Sequence, residues 1–85
     1  MTYSVEFKRS AMRQLKRLPK NIQRRIADAI DRLADNPRPH GYIQMETDDT
    51  LYRVRVGDYR IIYEIIDNKL VILVIRIGHR REVYR

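Results

Sequence analysis

Arginine is the residue type in this sequence with the clearest chemical use, because it recurs inside segments built from strand-forming residues. Six arginines lie in or directly after the last three such segments: Arg53, Arg55, Arg60, Arg76, Arg80 and Arg81. Strands do not need arginine to form, since Val, Ile and Tyr already fill the pleated surface. The planar guanidinium keeps its charge and matches a pair of phosphate oxygens. The pattern therefore indicates a site for a phosphate or another anion.

Alternation along the strands predicts that three of these arginines share one face of a sheet. Side chains alternate between the two faces, so Arg53 and Arg55 lie opposite the apolar Val54. The short turn at Gly57-Asp58 then brings Arg60 close to Arg55 across the hairpin. Like charges on neighbouring strands repel one another, which favours an anion between them. The alternative is that a basic protein scatters arginines over its solvated surface.

Two further residues near the end of the chain, His79 and Tyr84, can take part in proton transfer. Histidine has a reference pKa near neutrality, which suits a general base. A lone histidine is nevertheless more often structural or merely exposed, and a terminal tyrosine more often packs against the fold. The alternation also predicts that Ile62, Ile72 and Val74 lie on the open face beside the arginines.

The first half of the chain predicts one strand followed by two helices. Residues 2–7 alternate apolar and polar, as in a half-buried strand. One apolar stripe of helical spacing follows, and a second one lies between Pro19 and the Asn36-Pro37 pair that ends it. These stripes consist of Ala11, Leu15 and Leu18, and of Ile22, Ile26, Ala29, Ile30 and Leu33.

The second half predicts a loop and three strands. The loop covers Arg38–Thr50, and the strands cover Leu51–Val56, Tyr59–Ile66 and Leu70–Ile77. Short turns between the strands predict an antiparallel meander. The expected fold is therefore α+β with the order βααβββ, in which an N-terminal strand is added to the meander and two helices pack on one sheet face.

Composition narrows the function classes. The 85 residues predict a single domain covering residues 1–85, and 18 basic against 11 acidic residues give a net charge of +7. Such a charge favours nucleic acid, a membrane surface or an acidic protein as partner. The chain has no cysteine and only two histidines, so we expect no metal and no cofactor. No signal peptide or apolar run of membrane-spanning length is found, and we expect a cytoplasmic protein without a membrane partner.

Two segments resemble the RelE-type toxins of bacterial and archaeal toxin–antitoxin pairs. They read YRVRVGDYRIIYEI over residues 52–65 and VIRIGHRREVY over residues 74–84. The resemblance covers nearly the whole chain, including both helices. It implies a small cytoplasmic toxin that enters the ribosomal A site, contacts ribosomal RNA and cleaves messenger RNA, and that an antitoxin encoded beside it holds inactive. The expected activity is that of an mRNA interferase, a ribosome-dependent endoribonuclease.

The resemblance also assigns site residues. Arg53 and Arg55 correspond to two basic residues of the family, and Arg60 to the arginine that holds the scissile phosphate. Arg80 corresponds to a proposed transition-state stabiliser or general acid, and Tyr84 to a tyrosine that stacks on or orients the nucleotide. The expected RNA-binding residues are Arg53, Arg55, Arg60, Arg76 and Arg81.

Two departures from the family pattern concern the mechanism. In well-studied relatives the residues at positions 53 and 55 are lysines, one of them a proposed general base, and arginine cannot act as a base. The loop before the hairpin is acidic here, with Glu46, Asp48 and Asp49, whereas it is basic in many relatives. The implied reaction is metal-free attack of a ribose 2′-hydroxyl on the adjacent phosphate, and His79 is the side chain whose reference pKa suits the base.

Two other functions remain open at this point. The ParE-type toxins share the βααβββ layout but poison DNA gyrase, and they lack the full set of basic residues and the terminal tyrosine. A non-catalytic RNA-binding module would use aromatic residues for base stacking. The aromatic residues of the strands, Tyr52, Tyr59 and Tyr63, fall on the face predicted to lie under the helices, which disfavours the module.

Overall fold

The computed structural model describes residues 2–46, 48 and 50–79. Within these residues the chain forms five strands, two α-helices and one 3-10 turn. In chain order they are β1 (Ser4–Phe7), α1 (Arg9–Lys16), α2 (Lys20–Asp35), β2 (Ile43–Gln44), β3 (Leu51–Val56), β4 (Tyr59–Ile66), the 3-10 turn (Asp67–Lys69) and β5 (Val71–His79).

The strands form one mixed sheet in the order β1-β5-β4-β3-β2. Strand β1 runs parallel to β5, and the other neighbouring pairs are antiparallel. The predicted meander of β3, β4 and β5, with the N-terminal strand added at its edge, is therefore confirmed. The α+β class is confirmed as well, because both helices pack on one face of this sheet.

The predicted loop at Arg38–Thr50 contains a short strand that sequence reasoning missed. Strand β2 has two residues and pairs with Arg53 and Tyr52 of β3. Between β2 and β3, the carboxylate of Asp48 accepts hydrogen bonds from the Thr50 amide at 3.0 Å and from the Thr50 hydroxyl at 2.7 Å. Two residues are too few to show alternation, which is why composition indicated only a loop.

The core lies between the sheet and the apolar stripes of the two helices. Its buried residues are Ala11, Ile26, Ala29, Ile30, Leu33, Ile61, Tyr63, Ile72, Val74 and Ile77. The predicted stripes supply Ala11 of α1 and the buried members of α2, so the helical spacing in the sequence was interpreted correctly. Helix α2 ends where Asn36 takes an extended conformation with φ −143°, as expected for a residue before proline.

The prediction that Ile72 and Val74 lie on the open face is wrong. Both residues belong to the core beneath the helices. The register between β4 and β5 shifts between Ile62 and Tyr63: Ile62 pairs with Arg76, whereas Tyr63 pairs with Val74. Ile75 is the extra residue of this β-bulge, and it shifts the alternation so that Val74 and Arg76 point to opposite faces.

Hydrogen bonds fix the segment after α2 to the helix-facing side of the sheet and to the turn after β4. The buried Tyr63 hydroxyl donates to the Pro37 carbonyl at 2.7 Å. Burial raises the pKa of Tyr63, so this hydroxyl stays protonated and acts as a donor. At the surface, Arg38 donates to Asp67 at 2.8 Å, and Tyr3 donates to the same carboxylate at 2.6 Å. No helix in the described ranges has both the length and the apolar character needed to cross a bilayer.

Candidate functional site

The face of the sheet opposite the helices carries four of the predicted arginines, Arg53, Arg55, Arg60 and Arg76. We call this surface the arginine face. Across the β3–β4 hairpin, Arg55 is paired directly with Arg60, and on the next strand Arg60 is paired with Gly78. One step along the strands, Arg53 and Arg76 flank Ile62 from both sides. The predicted clustering of Arg53, Arg55 and Arg60 on one face is therefore present in the fold.

Arg60 lies on β4, between β3 and β5 and next to the hairpin turn, and it is almost completely buried, with 6% of its surface exposed. Its Nη1 donates to the Tyr59 carbonyl at 3.1 Å and to the Gly57 carbonyl at 3.4 Å. Gly57 belongs to the tight turn that joins β3 to β4, and Tyr59 is the first residue of β4. Within the described part of the chain, its Nε is buried without a hydrogen-bond partner. The turn therefore fixes one side of the guanidinium and leaves a donor unsatisfied.

The electrostatics around Arg60 are unfavourable in the free protein. No residue in the described ranges forms an ion pair with Arg60, and its neighbour on β3 is the cation Arg55. A buried charge without a counter-charge is costly, and like charges directly opposite one another on paired strands destabilise the sheet. An anion bound between Arg55 and Arg60 would offset both costs.

The second row of the arginine face alternates isoleucine and arginine across four strands. Its members in register are Ile43, Arg53, Ile62 and Arg76. Ile62 is only 4% exposed although no helix within the part of residues 2–79 that the structure describes covers this face, and the aliphatic stems of its arginine neighbours can shield it. Ile43 at the sheet edge is 45% exposed. The exposed apolar surface of the row is therefore at Ile43, beside Arg53, whereas Ile62 is covered.

His79 does not join the arginines. Its partner across the strands is Tyr59, whose side chain packs against the core on the helix side of the sheet. The two rings meet edge to face with 5.7 Å between their centroids. Adjacent residues of a strand point to opposite faces, so Gly78 lies beside Arg60 while His79 is directed to the other face. The predicted residues Arg80, Arg81 and Tyr84 lie outside the described residues.

Sequence reasoning missed a second group of cations on helix α2. Arg25 and Arg32 line a groove between α2 and the free edge of β3, together with Arg55. Positions 25 and 32 are seven residues apart and fall on one side of a helix. That spacing was the available signal, but only the fold shows that this side of α2 meets the end of a strand.

Comparison with known proteins identifies relatives along the whole chain. The family model described as the ParE toxin of type II toxin–antitoxin system, parDE, matches residues 5–84. Toxin RelG of Mycobacterium tuberculosis is 32% identical over 87 residues, which cover 100% of this chain and 99% of RelG. The mRNA interferase toxin RelE of Escherichia coli is 26% identical over 87 residues, which cover 99% of this chain and 92% of RelE.

A solved structure has the same fold. The crystal structure of the archaeal RelE–RelB complex from Pyrococcus horikoshii OT3 contains a chain that matches with a TM-score of 0.82 and 33% identity. The match covers 96% of this chain and 99% of that one. The similarity thus includes both helices and the full sheet.

Proposed function

Because this chain belongs to the RelE/ParE family of type II toxin–antitoxin toxins, we propose that it acts as an mRNA interferase, an endoribonuclease that inhibits translation. The relative named mRNA interferase toxin RelE supports this activity, and the relative named toxin RelG supports a role as a toxin. The observation that carries the proposal is Arg60, a buried guanidinium with an unsatisfied Nε beside a second arginine and without a counter-ion in the described part of the chain. Such a group is suited to hold a phosphate.

The reaction is a transfer within the RNA backbone. The ribose 2′-oxygen forms a bond to the adjacent phosphorus, the bond to the 5′-oxygen breaks, and the products are a 2′,3′-cyclic phosphate and a 5′-hydroxyl. The hydroxyl proton is lost from the 2′-oxygen, and the departing 5′-oxygen gains one. Charge grows on the phosphate oxygens between these events, and fixed cations aimed at them lower the barrier.

The roles of the arginine face follow from this reaction. Arg60 holds the scissile phosphate, and Arg53 and Arg55 stabilise the charge that develops on it. Neither residue is a base, so acceleration depends mainly on electrostatic stabilisation and on holding the 2′-oxygen in line with the leaving oxygen. The resemblance assigns transition-state stabilisation or proton donation to Arg80 and nucleotide stacking to Tyr84, and Arg76 and Arg81 are assigned to RNA binding.

The proposed function implies two partners. An antitoxin binds the toxin in solved complexes of this fold, such as the RelE–RelB complex of P. horikoshii. An antitoxin segment with acidic and apolar residues would match the alternating arginines and isoleucines of the arginine face. We place the messenger RNA on the same face in the A site of the ribosome, which would supply much of the positioning.

The experiment adds purified protein to translating ribosomes and maps the messenger fragments. The wild type is expected to cut within the A-site codon, and Arg60→Ala to cut about 10²–10³-fold more slowly, as when a transition-state donor is removed. Arg9→Ala is the matched control, because Arg9 is an exposed arginine on α1. Its cleavage rate should equal that of the wild type. If the wild type leaves the messenger intact and traps gyrase–DNA complexes, the proposal is wrong and the protein is a gyrase poison of the same family.

A further inference from the structure

A groove runs between helix α2 and the end of strand β3, on the side of the hairpin away from the arginine face. It has a volume of about 400 Å³. Its lining consists of Arg25, Asp28, Arg32, Arg55, Val56 and Gly57. Three of these six residues are arginines and one is an acid, so the groove carries a net positive charge. Arg55 belongs to both the groove and the arginine face, which makes the two sites neighbours.

The groove cations are available to a ligand. Arg25, Asp28 and Arg32 are exposed and follow one another at helical spacing along the same side of α2. In the described part of the chain, Asp28 forms no ion pair with Arg25 or Arg32. The helix thus presents two cations to the groove whose charge is not neutralised by the carboxylate between them.

Gly57 connects the groove to the arginine face. A Cβ atom on Gly57 would lie 3.2 Å from Nη2 of Arg25 and 3.5 Å from its Nη1, so the Arg25 guanidinium rests against this glycine. The Gly57 carbonyl also accepts the hydrogen bond from Nη1 of Arg60 at 3.4 Å. Two guanidiniums, one from the helix and one from the sheet, therefore lie on either side of the same turn residue.

The groove continues past Arg32 and Arg55 into an apolar section. This section has a volume of about 300 Å³ and is lined by Ala29, Leu33, Pro39, His40, Gly41 and Val54 as well as these two arginines. A cation-lined trough that adjoins an apolar one matches a nucleotide chain, in which charged phosphates alternate with flat bases.

We propose that this groove is a second phosphodiester-binding subsite, which takes backbone phosphates of RNA on Arg25 and Arg32. The inference rests on the proposed function, because it extends the RNA path from the arginine face around the tip of the β3–β4 hairpin. The cation-lined section offers little apolar surface apart from Val56, so an amphipathic protein helix would find nothing to bury there. Phosphodiester groups need only the fixed positive charge that the section supplies.

The experiment measures binding as a function of salt concentration for Arg25→Gln/Arg32→Gln and the wild type. One arm uses a 2′-O-methyl RNA oligomer, which lacks the attacking hydroxyl, and the other uses small ribosomal subunits. For a single strand the slope of log Kobs against log salt is about −0.7 per phosphate contact, so the loss of two contacts should reduce it by about 1.4. A change with the oligomer identifies messenger phosphates, and a change with the subunits alone identifies ribosomal RNA; either supports the subsite.

Matched controls separate a built subsite from general attraction. Lys20→Gln/Arg24→Gln removes the same charge from exposed positions of the same helix that do not line the groove, and it should leave the slope unchanged. Arg25→Lys/Arg32→Lys keeps the charge and should restore the slope. An equal change with both Gln pairs, or no change in either arm, overturns the proposal. The proposal is also overturned if Arg25→Gln/Arg32→Gln weakens only the complex with the antitoxin, because the groove would then bind protein.

The kinetics distinguish failure of this inference from failure of the proposed function. On translating ribosomes, the groove variant should raise KM and leave kcat unchanged, because a contact remote from the scissile phosphate stabilises the ground state and the transition state equally. Arg60→Ala should lower kcat. Unchanged KM in the groove variant, with kcat still lost in Arg60→Ala, would reject the subsite and retain the nuclease.

Discussion

At the scale of single residues, Arg60 combines features that a stable fold normally avoids. It is buried, it faces Arg55 across the hairpin, and its Nε lacks a partner in the described ranges. These features cost free energy in the unliganded protein and become favourable only when an anion is bound. This combination is expected of the anion-binding role proposed for Arg60, because the requirements of an active site can oppose the stability of its own protein.

This conflict predicts that Arg60→Met separates stability from activity. Methionine has a similar length and buries well, so its free energy of unfolding should equal or exceed that of the wild type while cleavage is lost. Urea unfolding measures the first quantity. Added phosphate should raise the unfolding midpoint of the wild type and not that of the variant. Ile61→Ala, in the core on the opposite face, is the control and should lose about 2–5 kcal/mol. A comparable loss in Arg60→Met would show that the arginine is structural.

At the scale of elements, the hairpin and the helices could be predicted from the sequence, whereas the last strand could not. Alternation in β3 and β4 is regular, so it placed Arg53, Arg55 and Arg60 correctly. In β5 nearly every residue is apolar, and a run without polar markers does not show where a bulge changes the alternation. The burial of Val74 and the direction of His79 therefore depend on the position of Ile75, which only the pairing with β4 reveals.

The junction of α1 with β5 gives a prediction at this scale. Beyond Val74 the edge of β5 is no longer paired with β1, and the Ile77 amide instead donates to Gln14 Oε1 at 2.8 Å. Gln14→Ala should lower the free energy of unfolding by about 1–3 kcal/mol, because a partly buried donor loses its acceptor. Gln14→Glu keeps an acceptor oxygen and should lose less. Equal losses in the two variants, measured by urea unfolding, would show that packing rather than the hydrogen bond matters.

At the scale of the whole molecule, surface hydrogen bonds connect segments that are distant in the sequence. Asp67 follows β4, Arg38 follows α2 and Tyr3 precedes β1, and all three meet at one carboxylate. The hydrogen bond from Arg38, and then that from Tyr3, lower the pKa of Asp67. A depressed carboxylate pKa stabilises the fold above the ordinary value of about 3.9, and this contribution is lost as the pH falls through the folded-state pKa.

Asp67→Asn should therefore be less stable than the wild type at pH 6, and the two melting temperatures should converge as the pH falls below about 4. Thermal melts followed by circular dichroism across pH 3 to 6 would measure the difference between the two melting temperatures. Arg38→Gln should show the same convergence, and the double variant should add little to either single change, because the three variants remove one interaction. A gap that stays constant with pH would show that the carboxylate charge makes no contribution.

The central claim is that the arginine face holds the phosphate attacked by its own 2′-hydroxyl, and the most direct test changes that hydroxyl alone. Translating ribosomes would receive messengers that differ only by 2′-deoxy substitution at the nucleotide before the cut. With the unmodified messenger, the account predicts upstream fragments that end in a 2′,3′-cyclic phosphate. With the substituted messenger, it predicts no cleavage at that position. Cleavage of the 2′-deoxy messenger at the normal rate would contradict the account.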